Sequence, residues 1–179
     1  NLLSKFIFMK KIIITGGLGY IGTELCKLYS GVSWNNKIVV IDNRFISERV
    51  NQIRNWNMEF VHGDILDKEL IGKYFKDADI VHHLAGVTDV PRTKSESSEE
   101  KDTKIKTVAE EGTQNILDII SDNCKIIFPS THVVYEGIEK VQNEISENEE
   151  VKPILSYSSS KALNEKQLNQ DNANGFLAT

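Results

Sequence analysis

The sequence predicts an α/β fold in which a doubly wound parallel sheet carries helices on both faces. Short runs rich in isoleucine and valine alternate with longer helical patterns along the 179 residues. Runs that are apolar on both faces are typical of strands in a parallel sheet covered by helices, and the alternation implies right-handed strand–helix–strand units. The length fits one domain.

The strands are predicted at the short apolar runs, which are residues 11–15, 37–41, 58–62, 79–84 and 125–129. The helices are predicted at the longer segments between and after them, which are residues 20–30, 47–56, 67–75, about 101–121 and 154–169. Residues 176–179 resemble the beginning of a sixth strand, so we expect the sheet to be truncated there. Residues 1–8 are predicted to be an N-terminal extension of a domain formed by residues 9–179, because Met9 opens the first strand directly.

Composition excludes several classes of function. The net charge is −5 and no cluster of lysine and arginine stands out, so the chain lacks the basic face that nucleic-acid binding needs. No stretch approaches the ~20 apolar residues of a membrane span. Cys26 and Cys124 lie in no C-x-x-C pair and have no histidine at metal-ligand spacing, so we predict two reduced, buried thiols in a cytoplasmic protein without a metal site.

The turn after the first strand has the pattern of a dinucleotide-binding site. A G-x-G-x-x-G motif at residues 17–22 stands between a predicted strand and a predicted helix. Glycine permits a positive φ and lets the backbone approach a pyrophosphate, and the helix directs its free N–H groups at that anion. The residues expected to bind the cofactor here are Gly16, Gly19, Tyr20, Ile21 and Gly22.

The end of the second strand indicates which cofactor is bound. Asp42 stands twenty positions after Gly22 and is expected to accept hydrogen bonds from the adenosine ribose. A carboxylate at this point repels a 2′-phosphate, so we predict NAD in preference to NADP. Arg44 carries the alternative, because its guanidinium would pair with such a phosphate.

The next two strands also end in residues that suit a cofactor. Asp64 and Ile65 follow the third strand, where they offer an acceptor and an apolar face to adenine. Leu84, Ala85 and Gly86 follow the fourth strand, where small residues let the chain pass close to the cofactor. The carboxyl ends of parallel strands meet at one edge of the sheet, so binding is the better interpretation than ordinary turn chemistry.

The last predicted helix carries a proton-transfer motif. Tyr157 and Lys161 are one turn apart and share a face. An ammonium there is expected to stabilise a tyrosinate and to lower the phenol pKa from its usual ~10, so that Tyr157 exchanges a proton with a substrate hydroxyl. Lys161 is also expected to bind the nicotinamide ribose. Thr131, after the fifth strand, would orient the same substrate oxygen.

Taken together, these motifs resemble the extended short-chain dehydrogenase/reductase family, in particular its NAD-dependent nucleotide-sugar epimerases and dehydratases. The resemblance covers residues 9–179. The matching elements are T-G-x-x-G-x-x-G at 15–22, the NAD-selecting Asp42 and Asn43, the adenine-contacting turn at 63–65, a variant of H-L-A-A at 83–86, the S-S/T-x-x-V-Y-G element at 129–137 and Y-x-x-x-K at 157–161. The resemblance implies a Rossmann-type fold and a catalytic set of Thr131, Tyr157 and Lys161.

The chain also departs from the family pattern. His132 and Val133 stand where the dehydratases typically carry Asp-Glu, which disfavours dehydration. Glu136 is inserted into the usual Tyr-Gly pair. Ala109 replaces an asparagine that many members carry, which puts one helix-packing or active-site hydrogen bond in doubt. His132 is interpreted either as an auxiliary acid/base or as a polar loop residue.

The resemblance therefore implies an epimerase that acts on a nucleotide-activated sugar by hydride abstraction, with Tyr157 as the base. The alternatives are a dehydratase or reductase of the same family and a non-catalytic NAD-binding protein. Family members are longer and recognise the sugar mainly through a C-terminal segment, so we expect these 179 residues to be a fragment with poor stability and little turnover. Members often dimerise through helices corresponding to about 101–121 and 154–169.

Overall fold

The computed structural model of the chain describes residues 9–87, 90, 93–139, 144–146, 148–171 and 177–178. Within them, six parallel strands form one sheet, with the bounds β1 Lys11–Thr15, β2 Lys37–Asp42, β3 Glu59–His62, β4 Ile80–His83, β5 Lys125–Phe128 and β6 Leu177–Ala178. The helices are α1 Tyr20–Tyr29, α2 Ser47–Asn55, α3 Lys68–Phe75, α4 Glu99–Leu117 and α5 Ser156–Asp171. Short 3-10 helices span Ser33–Asn35, Lys94–Glu96 and His132–Tyr135.

The two faces of the sheet bury separate hydrophobic clusters. Along β1, Ile13 points to one face, whereas Ile12 and Ile14 point to the other. The Ile13 cluster packs against α3, α4 and α5, and the Ile12–Ile14 cluster packs against α1 and α2. Because both faces are covered, the strands are apolar at successive positions, and this is the pattern that predicted the fold.

The strand order places a crevice at the centre of the sheet. The order is β3-β2-β1-β4-β5-β6, so the chain builds outward from β1 to β3 and then crosses back to continue on the other side of β1. All pairings are parallel, and the neighbours of β1 are β2 and β4. In open sheets of this kind, ligands bind at the carboxyl edge where the strand order reverses. This edge carries the candidate site.

All five predicted strands and all five predicted helices are confirmed, with shifts of a few residues at their ends. Helix α3 begins at Lys68 because Asp67 caps it, accepting hydrogen bonds from the backbone N–H groups of Glu69 at 3.0 Å and Leu70 at 3.1 Å. Helix α4 begins two residues before the predicted start because Ser98 caps it.

The remaining sequence predictions are met to different extents. The predicted sixth strand is present as β6, while residues 176 and 179 and the predicted extension 1–8 lie outside the described residues. Both cysteines are free and buried, and burial raises the pKa of the Cys26 thiol to about 12 and that of Cys124 to about 11. In the described ranges, no helix combines the length and apolar character needed to cross a membrane. Dimerisation and a cytoplasmic location stay predictions.

Candidate active site

The glycine-rich turn brings β1, the start of α1 and the end of β4 into backbone contact. Gly16 has φ +65°, and a Cβ placed on it would lie 2.8 Å from the backbone N of Ala85. A Cβ on Gly22 would lie 2.5 Å from the Gly16 carbonyl oxygen and 2.6 Å from the Gly17 Cα. Gly19 N-caps α1. The turn therefore has no room for side chains at positions 16 and 22, as the sequence predicts.

A cleft of about 270 Å³ opens at the carboxyl edge beside this turn. Nine residues that were predicted to bind the cofactor line it, namely Gly16, Gly19, Asp42, Asn43, Asp64, Ile65, Leu84, Ala85 and Gly86. Five predicted cofactor residues do not line it: Tyr20 and Ile21, which are 86% and 58% exposed, the buried Gly22, and Tyr157 and Lys161. Gly22 instead supports the turn from behind.

Sequence reasoning missed part of the cleft wall. Lys104 and Val108 line the cleft from α4, and they lie one turn apart on the same face of that helix. Their spacing marks them as neighbours, but it does not say that α4 crosses this edge of the sheet. The other lining residues not predicted as cofactor ligands are Ile41, Arg44, Gly63 and Val87.

Asp42 fixes the glycine turn as well as facing the cleft. Its side chain is almost fully buried, and its Oδ2 accepts a hydrogen bond from the backbone N–H of Leu18 at 2.9 Å. Arg44 donates to the same carboxylate from its backbone N at 2.9 Å, from Nε at 3.1 Å and from Nη2 at 3.3 Å. A ribose hydroxyl that bound Asp42 would therefore compete with the half-exposed Arg44 guanidinium for the carboxylate oxygens.

The loop after β3 is fixed by two other contacts. Asn43 donates from Nδ2 to Oδ2 of Asp64 at 2.8 Å, so these two predicted cofactor residues contact each other. Ile65 is buried, and its carbonyl oxygen accepts a hydrogen bond from Asn115 of α4 at 3.1 Å. A Cβ on Gly112 would lie 2.4 Å from the Ile65 Cδ1, so this glycine lets α4 pack against the loop.

The catalytic candidates lie at the end of β5 and at the start of α5. Thr131 N-caps the 3-10 helix His132–Tyr135 and accepts a hydrogen bond from the Val133 N–H at 3.4 Å. Tyr157 is in the first turn of α5, and the Lys161 Nζ lies 5.9 Å from the centroid of its ring. The same Nζ donates to the carbonyl oxygen of Pro129 at 2.9 Å. Lys161 thus connects the Tyr157 helix to the strand end that leads to Thr131.

Burial dominates the ionisation of the catalytic candidates. It lowers the pKa of Lys161 to about 8, an effect that the Glu165 carboxylate one turn later opposes. Burial also raises the pKa of Tyr157. The expectation of a lowered phenol pKa is therefore wrong for this structure, because the Lys161 ammonium donates to Pro129 and does not offset the desolvation of the phenol.

A buried hydrogen-bond network joins the glycine turn to α5. Thr15 Oγ1 accepts from the backbone N–H groups of Leu84 at 3.1 Å and Ala85 at 3.0 Å, so its own hydrogen is available to His83 Nδ1 at 3.1 Å. This assigns the imidazole proton to Nε2, which donates to Thr113 Oγ1 at 3.0 Å. Burial, reinforced by the Lys161 charge, lowers the pKa of His83 to about 3, so the ring is neutral.

Asn164 completes this network from α5. Its Nδ2 lies 2.9 Å from Thr113 Oγ1 and 2.8 Å from the carbonyl oxygen of Ala109. Packing of α4 against α5 at this point thus uses the Ala109 backbone, whereas the resemblance placed an asparagine side chain at position 109. The sequence assigns no role to Asn164, and His83 is noted only as part of its motif.

Comparison with known proteins agrees with this geometry. The sequence profile described as NAD dependent epimerase/dehydratase family matches residues 12–177. The chain is 32% identical over 173 residues to dTDP-D-glucose 4,6-dehydratase of Dictyostelium discoideum, covering 87% of the chain and 39% of that protein. It is 34% identical over 142 residues to CDP-paratose 2-epimerase of Salmonella typhi, covering 73% of the chain and 39% of that protein.

A solved structure shares the fold. UDP-glucose 4-epimerase from Brucella ovis in complex with NAD superposes with a TM-score of 0.72 at 29% sequence identity, covering 90% of this chain and 47% of that chain. The chain therefore spans between about two fifths and half of the length of these proteins. The match over residues 12–177, the parallel sheet and the glycine turn at its switch point show that the chain belongs to the NAD dependent epimerase/dehydratase family.

Proposed function

We propose that this chain is the NAD-binding and catalytic part of an epimerase that acts on a nucleotide-activated sugar. The observation that carries the proposal is the position of Lys161, one turn after Tyr157 on α5 and hydrogen-bonded to the carbonyl of Pro129, two residues before Thr131. This arrangement supports one catalytic set drawn from two elements, and the cleft at the carboxyl edge of the same sheet is lined with predicted cofactor residues. The relatives include epimerases and a structure with bound NAD.

The residues present fit NAD. The absence of side chains at Gly16 and Gly19 leaves the backbone of the turn accessible at the cleft, and the start of α1 lies beside it. These are the features that hold a pyrophosphate at a helix N-terminus. We propose that Asp42 binds the adenosine ribose and that the loop of Asp64 and Ile65 contacts the adenine. Residues 84–86 would make the closest backbone contact with the cofactor. When bound, NAD would supply a reversible hydride acceptor.

The proposed roles of the side chains follow from their surroundings. Tyr157 removes the proton from a sugar hydroxyl as general base, and Thr131 orients the same oxygen. With a pKa of about 8, Lys161 is protonated at neutral pH, and its positive charge would favour the tyrosinate, although in this structure it does not offset the effect of burial. Because burial raises the phenol pKa, Tyr157 depends on this cation for its function. The keto sugar would regain on its other face the hydride that the bound cofactor had taken up, and its oxygen would regain the proton from Tyr157, so the carbon is inverted without net oxidation.

The test uses the protein that contains this chain and a panel of nucleoside diphosphate sugars. NMR detects the epimer, and absorbance at 340 nm detects NADH. We expect epimer to form without net NADH, and Tyr157→Phe to reduce kcat by roughly 10²- to 10⁴-fold. Tyr74→Phe on α3 is the matched control and should retain activity. Accumulation of oxidised sugar with an equal amount of NADH would contradict the epimerase proposal.

A dehydratase is the second candidate, because the Dictyostelium relative matched over 87% of the chain is a dehydratase. His132 and Val133 at the positions of the dehydratase Asp-Glu pair oppose this candidate, and His132 is exposed. The same NMR panel separates the two reactions, since elimination of water gives a deoxy-keto sugar. That product, lost on substitution of His132 by Ala, would favour the dehydratase and give His132 an acid/base role.

A further inference from the structure

The start of helix α5 is bound by a carboxylate from another part of the chain. The backbone N–H of Ser159 donates to the Leu155 carbonyl at 2.9 Å, so Leu155 occupies the cap position, and the Ser158 hydroxyl oxygen in the first turn accepts from the Leu155 N–H at 3.2 Å. The inserted Glu136 reaches the same point and binds the residues that lead into the helix. Its Oε1 accepts from the N–H of Ile154 at 2.6 Å and of Leu155 at 2.8 Å, and the Ser158 hydroxyl donates to the same oxygen.

The backbone on both sides of this contact is also paired. The Gly137 N–H donates to the Lys152 carbonyl at 2.8 Å, and the Lys152 N–H donates to the Val134 carbonyl at 2.8 Å. A Cβ on Gly137 would lie 2.5 Å from the Lys152 oxygen, so this close approach requires a glycine directly after Glu136. Residues 134–137 are therefore held beside the segment that leads into α5.

Glu136 lies between the two catalytic elements. The 3-10 helix His132–Tyr135 has Thr131 as its N-cap and Glu136 as its C-cap. The contacts of Glu136 are made at residues 154, 155 and 158, which bracket Tyr157. One short helix therefore connects Thr131 to Glu136, and the Glu136 carboxylate completes the connection to the start of the Tyr157 helix.

The charge of Glu136 suits this position. Burial acts to raise its carboxyl pKa, but the hydrogen bonds from Ser158, Leu155 and Ile154 outweigh burial, and the pKa is lowered. Glu136 is thus ionised at neutral pH, and a negative charge is favourable near the N-terminus of a helix. The residue as a whole is exposed, so its effect rests on the geometry of the cap more than on buried charge.

We propose that Glu136 is a positioning residue for the reaction, which holds the first turn of α5 so that Tyr157 and Thr131 address the same substrate oxygen. This inference rests on the proposed function of Tyr157. A misplacement of about 1 Å in a catalytic group costs up to roughly 100-fold in rate, so loss of the cap should affect turnover much more than binding.

The experiment compares Glu136→Ala and Glu136→Gln with Glu139→Ala, an exposed glutamate three residues later, as the matched control. We expect Glu136→Ala to lower kcat by roughly 10- to 100-fold with KM and NAD affinity within about twofold. Glu136→Gln keeps an acceptor oxygen at the cap and should restore most of kcat. The loss of kcat caused by Glu136→Ala should be smaller in a Thr131→Ala background than in the wild type, because both changes disturb the same geometry.

Amide hydrogen exchange supplies a readout that is independent of turnover. The N–H groups of residues 154 and 155 should exchange faster in Glu136→Ala than in the wild type, Glu136→Gln or Glu139→Ala. If Tyr157→Phe abolishes turnover while Glu136→Ala leaves both kcat and exchange unchanged, the positioning role is overturned and the proposed function stands. If Tyr157→Phe leaves turnover unchanged, the proposed function itself fails, and this inference fails with it.

Discussion

The two halves of the candidate site are held in place by different kinds of contact. Around the glycine turn, backbone packs directly on backbone, with Gly22 against Gly16 and Gly17, and Gly16 against the chain at Ala85. Around α5, side chains make the connections, with Lys161 bonded to the Pro129 carbonyl and Glu136 to the start of the helix. The first half is therefore sensitive to added side-chain volume, and the second half is sensitive to the loss of hydrogen bonds and charges.

The difference fits the roles that we propose for the two halves. A pyrophosphate is bound by backbone N–H groups, so the chain must come close and carry no side chains there. Proton transfer needs ionisable side chains whose positions and pKa values are controlled by neighbours. Glu165 illustrates this control, because it opposes the effect of burial on Lys161 while the Ser130 hydroxyl donates to its carboxylate.

The largest test of this comparison adds one methyl group to the backbone-packed half. Gly22→Ala should reduce the free energy of unfolding by about 3 kcal/mol, because the added Cβ meets only backbone atoms that have no rotamer to change. NAD affinity should fall by at least about tenfold. Denaturant unfolding and calorimetric titration measure the two effects.

Gly72→Ala is the matched control for that change. Gly72 lies inside α3 with no atom near its added Cβ, so alanine should stabilise the chain by up to about 1 kcal/mol. Equal stability of the Gly22→Ala and Gly72→Ala variants would show that the turn is not limited by volume.

Acidification should weaken the network that joins the two halves. The folded-state pKa of His83 is about 3, below its ordinary 6.5, so the unfolded chain binds more protons between these values. The contribution of His83 to stability is complete above pH 6.5 and is lost as pH falls toward 3. Between pH 7 and pH 5 the free energy of unfolding should fall by about 2 kcal/mol from this group.

Denaturant unfolding at both pH values of the wild type, His83→Gln and His132→Gln checks the acid effect. His83→Gln should lose this part of the pH dependence, whereas substitution of the exposed His132 should leave it intact. Parallel pH profiles for the wild type and His83→Gln would mean that the neutral imidazole does not link the halves.

A smaller change in charge should alter the catalytic half alone. Glu165→Gln removes the carboxylate that opposes the effect of burial on Lys161, so the Lys161 pKa should move further below about 8. If turnover requires the Lys161 ammonium, the alkaline limb of the pH profile of kcat should then move to lower pH. The pH profile of kcat measures this shift, and Glu111→Gln, an exposed change on α4, should not produce it. An unshifted profile would exclude Glu165 from the control of Lys161.

The smallest expected effect lies at Arg44. Its guanidinium occupies the Asp42 carboxylate, so Arg44→Ala should improve NAD affinity by roughly two- to fivefold, as expected for loss of a half-exposed ion pair. Affinity for NADP should stay low, because Asp42 remains. Calorimetric titration with both cofactors decides the point. A specific loss of NADP binding in Arg44→Ala would instead support Arg44 as a phosphate ligand.

Local sequence pattern sufficed for most of the cofactor half. Strand ends were predictable because runs that are apolar on both faces of the sheet end abruptly at glycine or aspartate. Nine of the residues predicted to bind the cofactor do line the cleft. The pattern did not reveal that Arg44 covers Asp42, because the partner of a buried carboxylate depends on which side chains fold over it. It also missed Lys104, since a helix periodicity does not say which edge of the sheet the helix crosses.

The sequence by itself determined the parallel α/β sheet, the glycine turn, the spacing of Tyr157 and Lys161 and the family, because backbone sterics and periodicity act over a few residues. Only the tertiary structure decided how those parts are connected. The bond of Asn164 to Thr113 joins residues 51 positions apart, and that of Glu136 to Ser158 joins residues 22 apart. Such partners are set by the packing of whole elements, and that packing also raised the Tyr157 pKa against expectation.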